Sequence, residues 1–211
     1  MTSRYATSAL SMFGGRKLPD VWFTANWQLG LRPDQDADLI DRHNALVEQT
    51  DWTWMLGNMV STPDALRLVP SIKGRKVLIA GPGDACFAGN EADPKALARL
   101  DARYRDAGFD NIVNGAAFAR KGWAMRLPLG PQREVFWLSH FPYAQAGDVD
   151  HTVYRPKRSA GGSAPWLLCG AGGDQWHSRN RMINVSIDAW RAPVPLEIIN
   201  ETITNGDGDD G

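Results

Sequence analysis

Two cysteines, Cys86 and Cys169, are all that the 211 residues contain. Each sits in an apolar or glycine-rich stretch, which fits a reducing compartment better than a disulfide framework. Histidine is scarce too: of the four, His43, His151 and His177 have no second His or Cys at metal-ligand spacing. No stretch approaches the roughly 20 apolar residues of a membrane span. Met1 to Arg16 lacks the charged head, apolar run and small-residue cleavage site of a secretory signal, and a cytoplasmic location is the expectation. An excess of charge of either sign is also missing. Lys and Arg number 23 against 24 Asp and Glu, a net charge of -1, which argues against nonspecific binding of nucleic acid. Neither a Walker loop nor Gly-x-Gly-x-x-Gly after a strand is present.

What is present is ordinary for one globular domain: 43% hydrophobic and 22% charged residues, with nine tryptophans that fall mainly beside strand-like runs. Short β-like runs alternate with helical patterns through the first half, predicting an α/β fold. Strands are expected at Asp20 to Thr24, Trp52 to Leu56 and Arg75 to Ala80. Leu39, Ile40, Ala45, Leu46 and Val47 lie at helical spacing within an amphipathic helix from Asp38 to Gln49. Thr62-Pro63-Asp64 reads as a cap with proline at the first helical position, opening a short helix through Val69. A second amphipathic helix runs from Pro94 to Ala107 and stops at Gly108.

Beyond it, Asn111 to Phe118, Gly122 to Leu127, Glu134 to Ser139, Trp166 to Cys169 and Met182 to Ile187 read as strands. The two strand groups predict two sheets packed face to face and covered by helices. Tyr154 to Pro165 is a basic surface loop. The domain is expected over 20–200, with 1–19 as an N-terminal extension and 201–211 as an acidic, glycine-rich disordered tail.

Four strand ends carry a recurring kind of loop. They are Phe23-Thr24-Ala25-Asn26-Trp27-Gln28-Leu29-Gly30, Met55-Leu56-Gly57-Asn58, Leu78-Ile79-Ala80-Gly81-Pro82-Gly83-Asp84, and Leu167-Leu168-Cys169-Gly170-Ala171-Gly172-Gly173. Trp137-Leu138-Ser139-His140-Phe141-Pro142 and the closing segment Ile183 to Trp190 complete the series. In order and spacing these segments resemble the calcineurin-like metallophosphoesterases, the small bacterial and phage members especially, over about residues 20 to 200. The resemblance implies a four-layer αββα sandwich of two mixed sheets flanked by helices. It also implies a two-metal site built from the strand-end loops, where carboxylates and imidazoles hold paired cations that activate a water.

At nearly every implied ligand position the donor is gone. Asn26 and Gln28 replace the Asp and His of the first motif, and Asn58 replaces the bridging Asp of the second. Pro82 and Gly83 replace the Asn and His of the third, with Asp84 retained. Ala171 and Gly173 replace the two His of the last, and His140 alone survives as a weak candidate ligand. Neutral amides bind divalent cations far less well than carboxylates.

The expectation is therefore a catalytically inactive, pseudoenzyme relative that carries no cofactor. It would grip a protein or nucleotide-like partner with a cleft of Asn26, Trp27, Gln28, Asn58, Asp84 and His140, partly filled by Trp27 and Leu31. The alternative is a weak phosphodiester or phosphomonoester hydrolase with one loosely bound Mn or Mg around His140, Asn58 and Asn26. A self-associating homodimer is a third reading. Ser139 with His140, or Cys169, lacks the orienting carboxylate a nucleophile would need.

Overall fold

The computed structural model describes residues 19–113, 136–145, 153–158, 164–170 and 176–206. Two mixed sheets organise the chain, confirming the α/β class. The first contains β1 (Val21–Thr24), β2 (Trp52–Met55), β3 (Arg75–Ile79), β4 (Asn111–Val113) and β9 (Val194–Pro195) in the order β4-β3-β2-β1-β9. Its first four strands run parallel, and β9 pairs antiparallel to β1 through Phe23 and Val194. The second contains β5 (Phe136–Ser139), β6 (Trp166–Cys169), β8 (Met182–Asn184) and β7 (Ser178–Arg179) in the order β5-β6-β8-β7. β5, β6 and β8 are parallel, and β7 folds back on β8. That two-residue hairpin turns on Asn180 and Arg181, both left-handed at φ 50 and 58, as a turn matching strand twist requires.

Strand alternation sorts the side chains into layers. Phe23, Trp54, Val77 and Ile79 of the first sheet share one core with Phe136, Leu138, Trp166, Leu168 and Ile183 of the second. The Phe23 and Phe136 rings meet edge-on at 6.0 Å. On the opposite face of the first sheet, Met55, Leu78 and Ile112 pack against Ile40 of α1 (Pro33–Leu46), Leu66 and Val69 of a 3-10 helix (Pro63–Ser71), and Tyr104 of α2 (Pro94–Asp106). The far face of the second sheet buries Leu167, Cys169 and Met182 under Tyr143, Ala164 and Trp176. Among the described residues that cover is irregular chain rather than helix.

Several boundaries differ from expectation for local reasons. α1 starts at Pro33 and ends at Leu46 because proline takes the first turn with Asp34 and Asp36, where no apolar periodicity exists to read. The helix after Thr62 is 3-10, holds Pro70 inside, and receives no side-chain cap from Thr62. β8 stops at Asn184, since Ser186 caps α3 (Ile187–Trp190) by accepting from the Ala189 amide at 3.3 Å.

The largest difference is α4 (Leu196–Asn205), which crosses the boundary expected at 200. Residues 201–205 are helical rather than a disordered tail because Ile199 and Ile203 enter the core between the sheets. The expected strand Gly122 to Leu127 and the tail from 207 to 211 lie outside the described residues.

Candidate functional site

The loops that follow β1, β2 and β3 lie side by side and are stitched together beyond the strands. Asn26 N donates to Gly57 O at 3.0 Å, Gln28 N to Asn58 O at 2.9 Å, Leu29 N to Met59 O at 3.0 Å and Ser61 N to Leu29 O at 3.0 Å. This path needs left-handed backbone at Asn26 (φ 61), Gln28 (φ 52) and Asn58 (φ 54). Asparagine tolerates that region better than most residues, so Asn26 and Asn58 have a backbone role irrespective of any ligand.

Their side chains cross-link the loops further. Asn58 Oδ1 accepts from Gly83 N at 2.7 Å, and Asn26 Nδ2 donates to Gly170 O at 2.8 Å, which ties the first sheet to the second. Asn26 Oδ1 is buried with no hydrogen-bond partner.

Asp84 is the hub. Oδ2 accepts from Asn58 N at 2.7 Å and Gly81 N at 3.0 Å, and Oδ1 from Met59 N at 2.8 Å and Val60 N at 3.0 Å. Full burial pushes its carboxyl up to about 6, against the four amides that favour the charged form. The side chain fastens the β2 loop to the β3 loop. Two residues not anticipated from sequence brace the same turn. Asn90 Nδ2 donates to Pro82 O at 2.8 Å and Asp84 O at 3.1 Å, and Tyr104 Oη accepts from Ala85 N at 3.0 Å. Neither belongs to a strand-end loop, so no motif spacing marked them.

His140 is buried below Gly57 and Gly81, its Nδ1 donating to Leu56 O at 2.8 Å. Glycine is obligatory above it: a Cβ on Gly57, itself at φ +83, would stand 2.5 Å from Nδ1, and one on Gly81 would stand 2.8 Å away. At the seam between the sheets, a Cβ on Gly170 would meet Leu56 O at 2.1 Å.

The expected cleft is only partly assembled. Asn26, Gln28, Asn58, Pro82, Gly83, Asp84 and His140 share one end of the molecule, while Ala171 and Gly173 lie outside the described residues. Trp27 is core, 2% exposed, with Nε1 donating to Thr24 Oγ1 at 2.8 Å, and Leu31 is 58% exposed, so neither fills a vacated cavity. A small hollow of about 60 Å³ adjoins Asn26 and is lined by Arg32, Arg42 and Arg191, away from Asn58 and His140. His43 is fully buried; Nε2 donates to Lys73 O at 3.1 Å and its ring meets Trp27 edge-on at 5.3 Å. Burial lowers its pKa to about 4.

Among the described residues the donor set does not fit a pair of divalent cations. Both Asp84 oxygens serve amides, the Asn58 oxygen serves Gly83, and the remaining strand-end donors are neutral. No group of three or more His, Cys, Asp or Glu stands at metal-binding distance among the described residues.

No protein-family model matches the chain. It is similar to a mycobacteriophage protein. The "Gene 66 protein" of Mycobacterium phage D29 is 27% identical over 216 residues, covering 89% of this chain and 98% of that one. Among solved structures, the protein of unknown function AQ665 from Aquifex aeolicus superposes with a TM-score of 0.53 over 87% of this chain and 99% of its own, at 13% identity. That likeness concerns fold alone. Phosphopantetheinyl hydrolase (PptH) from Mycobacterium tuberculosis aligns over 62% of this chain and 47% of its own at a TM-score of 0.31 and 13% identity, too slight to build on.

Proposed function

We propose that this chain is a metallophosphoesterase-like, four-layer sandwich protein that has given up catalysis and works by binding a protein or nucleotide-like partner. One observation carries the reading. At the strand ends where hydrolytic chemistry would need outward-facing anionic donors, the polar groups face one another. Asp84 holds four amides, Asn58 holds Gly83, and Asn26 holds Gly170. An acceptor saturated by backbone N–H groups gives no charge to a cation without breaking the loop it supports.

The test is to dialyse the purified protein against manganese, remove the excess, and read metal content by elemental analysis alongside hydrolysis of bis-p-nitrophenyl phosphate. Substoichiometric metal and no manganese-dependent turnover are expected. Two ions per chain, or turnover that disappears in His140→Ala, would refute the proposal in favour of a hydrolase with a reduced site. The binding half is checked by capture from the native host, where a stoichiometric partner is expected, and by light scattering, where the partner being a second copy would appear as a concentration-dependent dimer.

A further inference from the structure

Arg32, Gln35, Leu39 and Arg42 follow one another at spacings of three and four, which puts them on one face of α1 and its capping residue. The hollow of about 60 Å³ beside Asn26 takes these four from α1, with Ile187, Asp188 and Arg191 from α3 and the turn that ends it. Its exposed lining is mostly polar. The two helices are fixed to each other and to the first sheet: Arg42 Nη1 donates to Arg191 O at 3.3 Å while its Nη2 pairs with Asp38, and Ile187 N donates to Ala25 O at 2.9 Å at the end of β1. Three guanidiniums therefore border one small space.

Convergence of like charge is unfavourable unless a counter-charge is supplied. Little is supplied here. The side chains of Arg32 and Arg191 make no hydrogen bond or ion pair among the described residues, and Asp188, the acidic member of the lining, pairs with neither. Arg191 also holds a left-handed backbone, φ 59, at the end of α3, where glycine or asparagine is the ordinary occupant. Residues kept in such conformations cluster at functional sites.

We infer that the hollow is a binding site for one terminal phosphate group, free or carried as a monoester by a small molecule. A volume of about 60 Å³ holds roughly four or five waters, comparable to a single phosphate. A carboxylate is served in full by one guanidinium fork, whereas a phosphate has oxygens enough for all three, with the Gln35 amide as a neutral donor beside them. The surroundings disfavour a polyanion. α1 also carries Asp34, Asp36, Asp38 and Asp41, none of them in the lining, so the positive field is confined to the hollow and a nucleic-acid strand laid over the helix would meet carboxylates. The site lies away from Asn58 and His140, and it stands whether or not the strand-end loops support hydrolysis.

The experiment is calorimetric titration of the whole chain at about pH 8, where phosphate is mostly dianionic, with sodium phosphate, ribose 5-phosphate and acetate in turn at constant ionic strength. Both phosphates are expected to saturate with a dissociation constant of about 1 mM or below, and acetate to bind at least about tenfold more weakly. Tighter binding of ribose 5-phosphate assigns the site to an esterified ligand, and tighter binding of phosphate to the free ion. Arg191→Asn removes a guanidinium, suits the left-handed backbone and leaves the backbone carbonyl that Arg42 uses; binding should weaken about tenfold or more. Arg32→Gln, at an exposed position before the helix, should do the same and carries the test if the first variant fails to fold. Arg99→Gln, exposed on α2, should leave affinity unchanged. No saturation by about 10 mM of either phosphate, equal affinity for acetate, wild-type affinity in Arg32→Gln and Arg191→Asn, or an equal loss in Arg99→Gln would overturn the inference.

Discussion

The two ends of the strands in this molecule use polar groups in opposite ways. At the carboxyl ends of β1, β2 and β3, Asn26 Nδ2, Asn58 Oδ1 and both Asp84 oxygens are spent on neighbouring backbone, and His140 is sealed beneath glycines. At the amino ends of β6 and β8, the guanidiniums of Arg158, Arg179 and Arg181 lie over the buried rings of Tyr143, Trp176 and Trp166. Polar residues at a strand end therefore reveal function only when their partners are known, because the same count of groups can close a structure or cover its surface.

The sharpest way to break the contrast is Asp84→Asn. One carboxylate oxygen becomes an amide nitrogen, so two of the four backbone donors lose their acceptor; a loss of about 3–5 kcal/mol and a fall in Tm of roughly 10 °C are expected by calorimetry. Gly170→Ala forces a methyl group against Leu56 O at the seam between the sheets. Its expected cost in urea denaturation is about 2–3 kcal/mol.

A third test uses pH. His43 titrates near 6.5 unfolded and about 4 folded, so the unfolded chain binds the proton more tightly. Stability from His43 is fully present above about 6.5 and is lost as the pH falls towards 4, by roughly 3 kcal/mol at most. Asp84, raised to about 6, acts in the opposite sense, since native stability from it grows as the pH falls through 6. The difference between wild-type and His43→Leu denaturation curves across pH 4 to 7 isolates the histidine, and a flat difference would refute its neutral burial.

Arg75→Ala comes next: it removes an ion pair with Asp110 at 3.1 Å and a stack on Trp52 at 3.9 Å, both half exposed, for about 0.5–1 kcal/mol. At the basic end, Lys157→Gln with Arg179→Gln should shift stability by less than about 0.5 kcal/mol. A large loss there would erase the distinction between a closed end and a covered one.

Much of the fold was legible because parallel strands buried on both faces read as continuous apolar runs. Val77-Leu78-Ile79, between Gly74 and Gly81, and Trp166 to Cys169, between Pro165 and Gly170, were found within a residue of their ends. Patterning failed where an element's first turn is polar, as at Pro33 to Asp36. It failed again at the end of the chain, where the acidic composition of 201–211 drew attention from Leu196, Ile199 and Ile203 at helical spacing.

The candidate loops were legible as places but not as chemistry. Asn26 and Asn58 read as absent ligands, whereas their left-handed backbone and cross-loop bonds are positive structural roles that only coordinates reveal. Trp27 looked like cleft bulk and proved to be core. The burial of His43 was not legible because its partners, Lys73 and Trp27, are brought to it by tertiary contact and not by spacing on its own helix.

β9 lends the first sheet its edge: Val194 pairs with Phe23, and α4, directly after it, sends Ile199 and Ile203 into the gap between the sheets. Opposite reaches of the sequence must therefore meet before that edge is sealed. Such non-local closure makes assembly slow and leaves the flank of β1 open to stray pairing until it is complete. A chain shortened before Val194 would expose the hydrogen-bonding row of β1 and be prone to form aggregates.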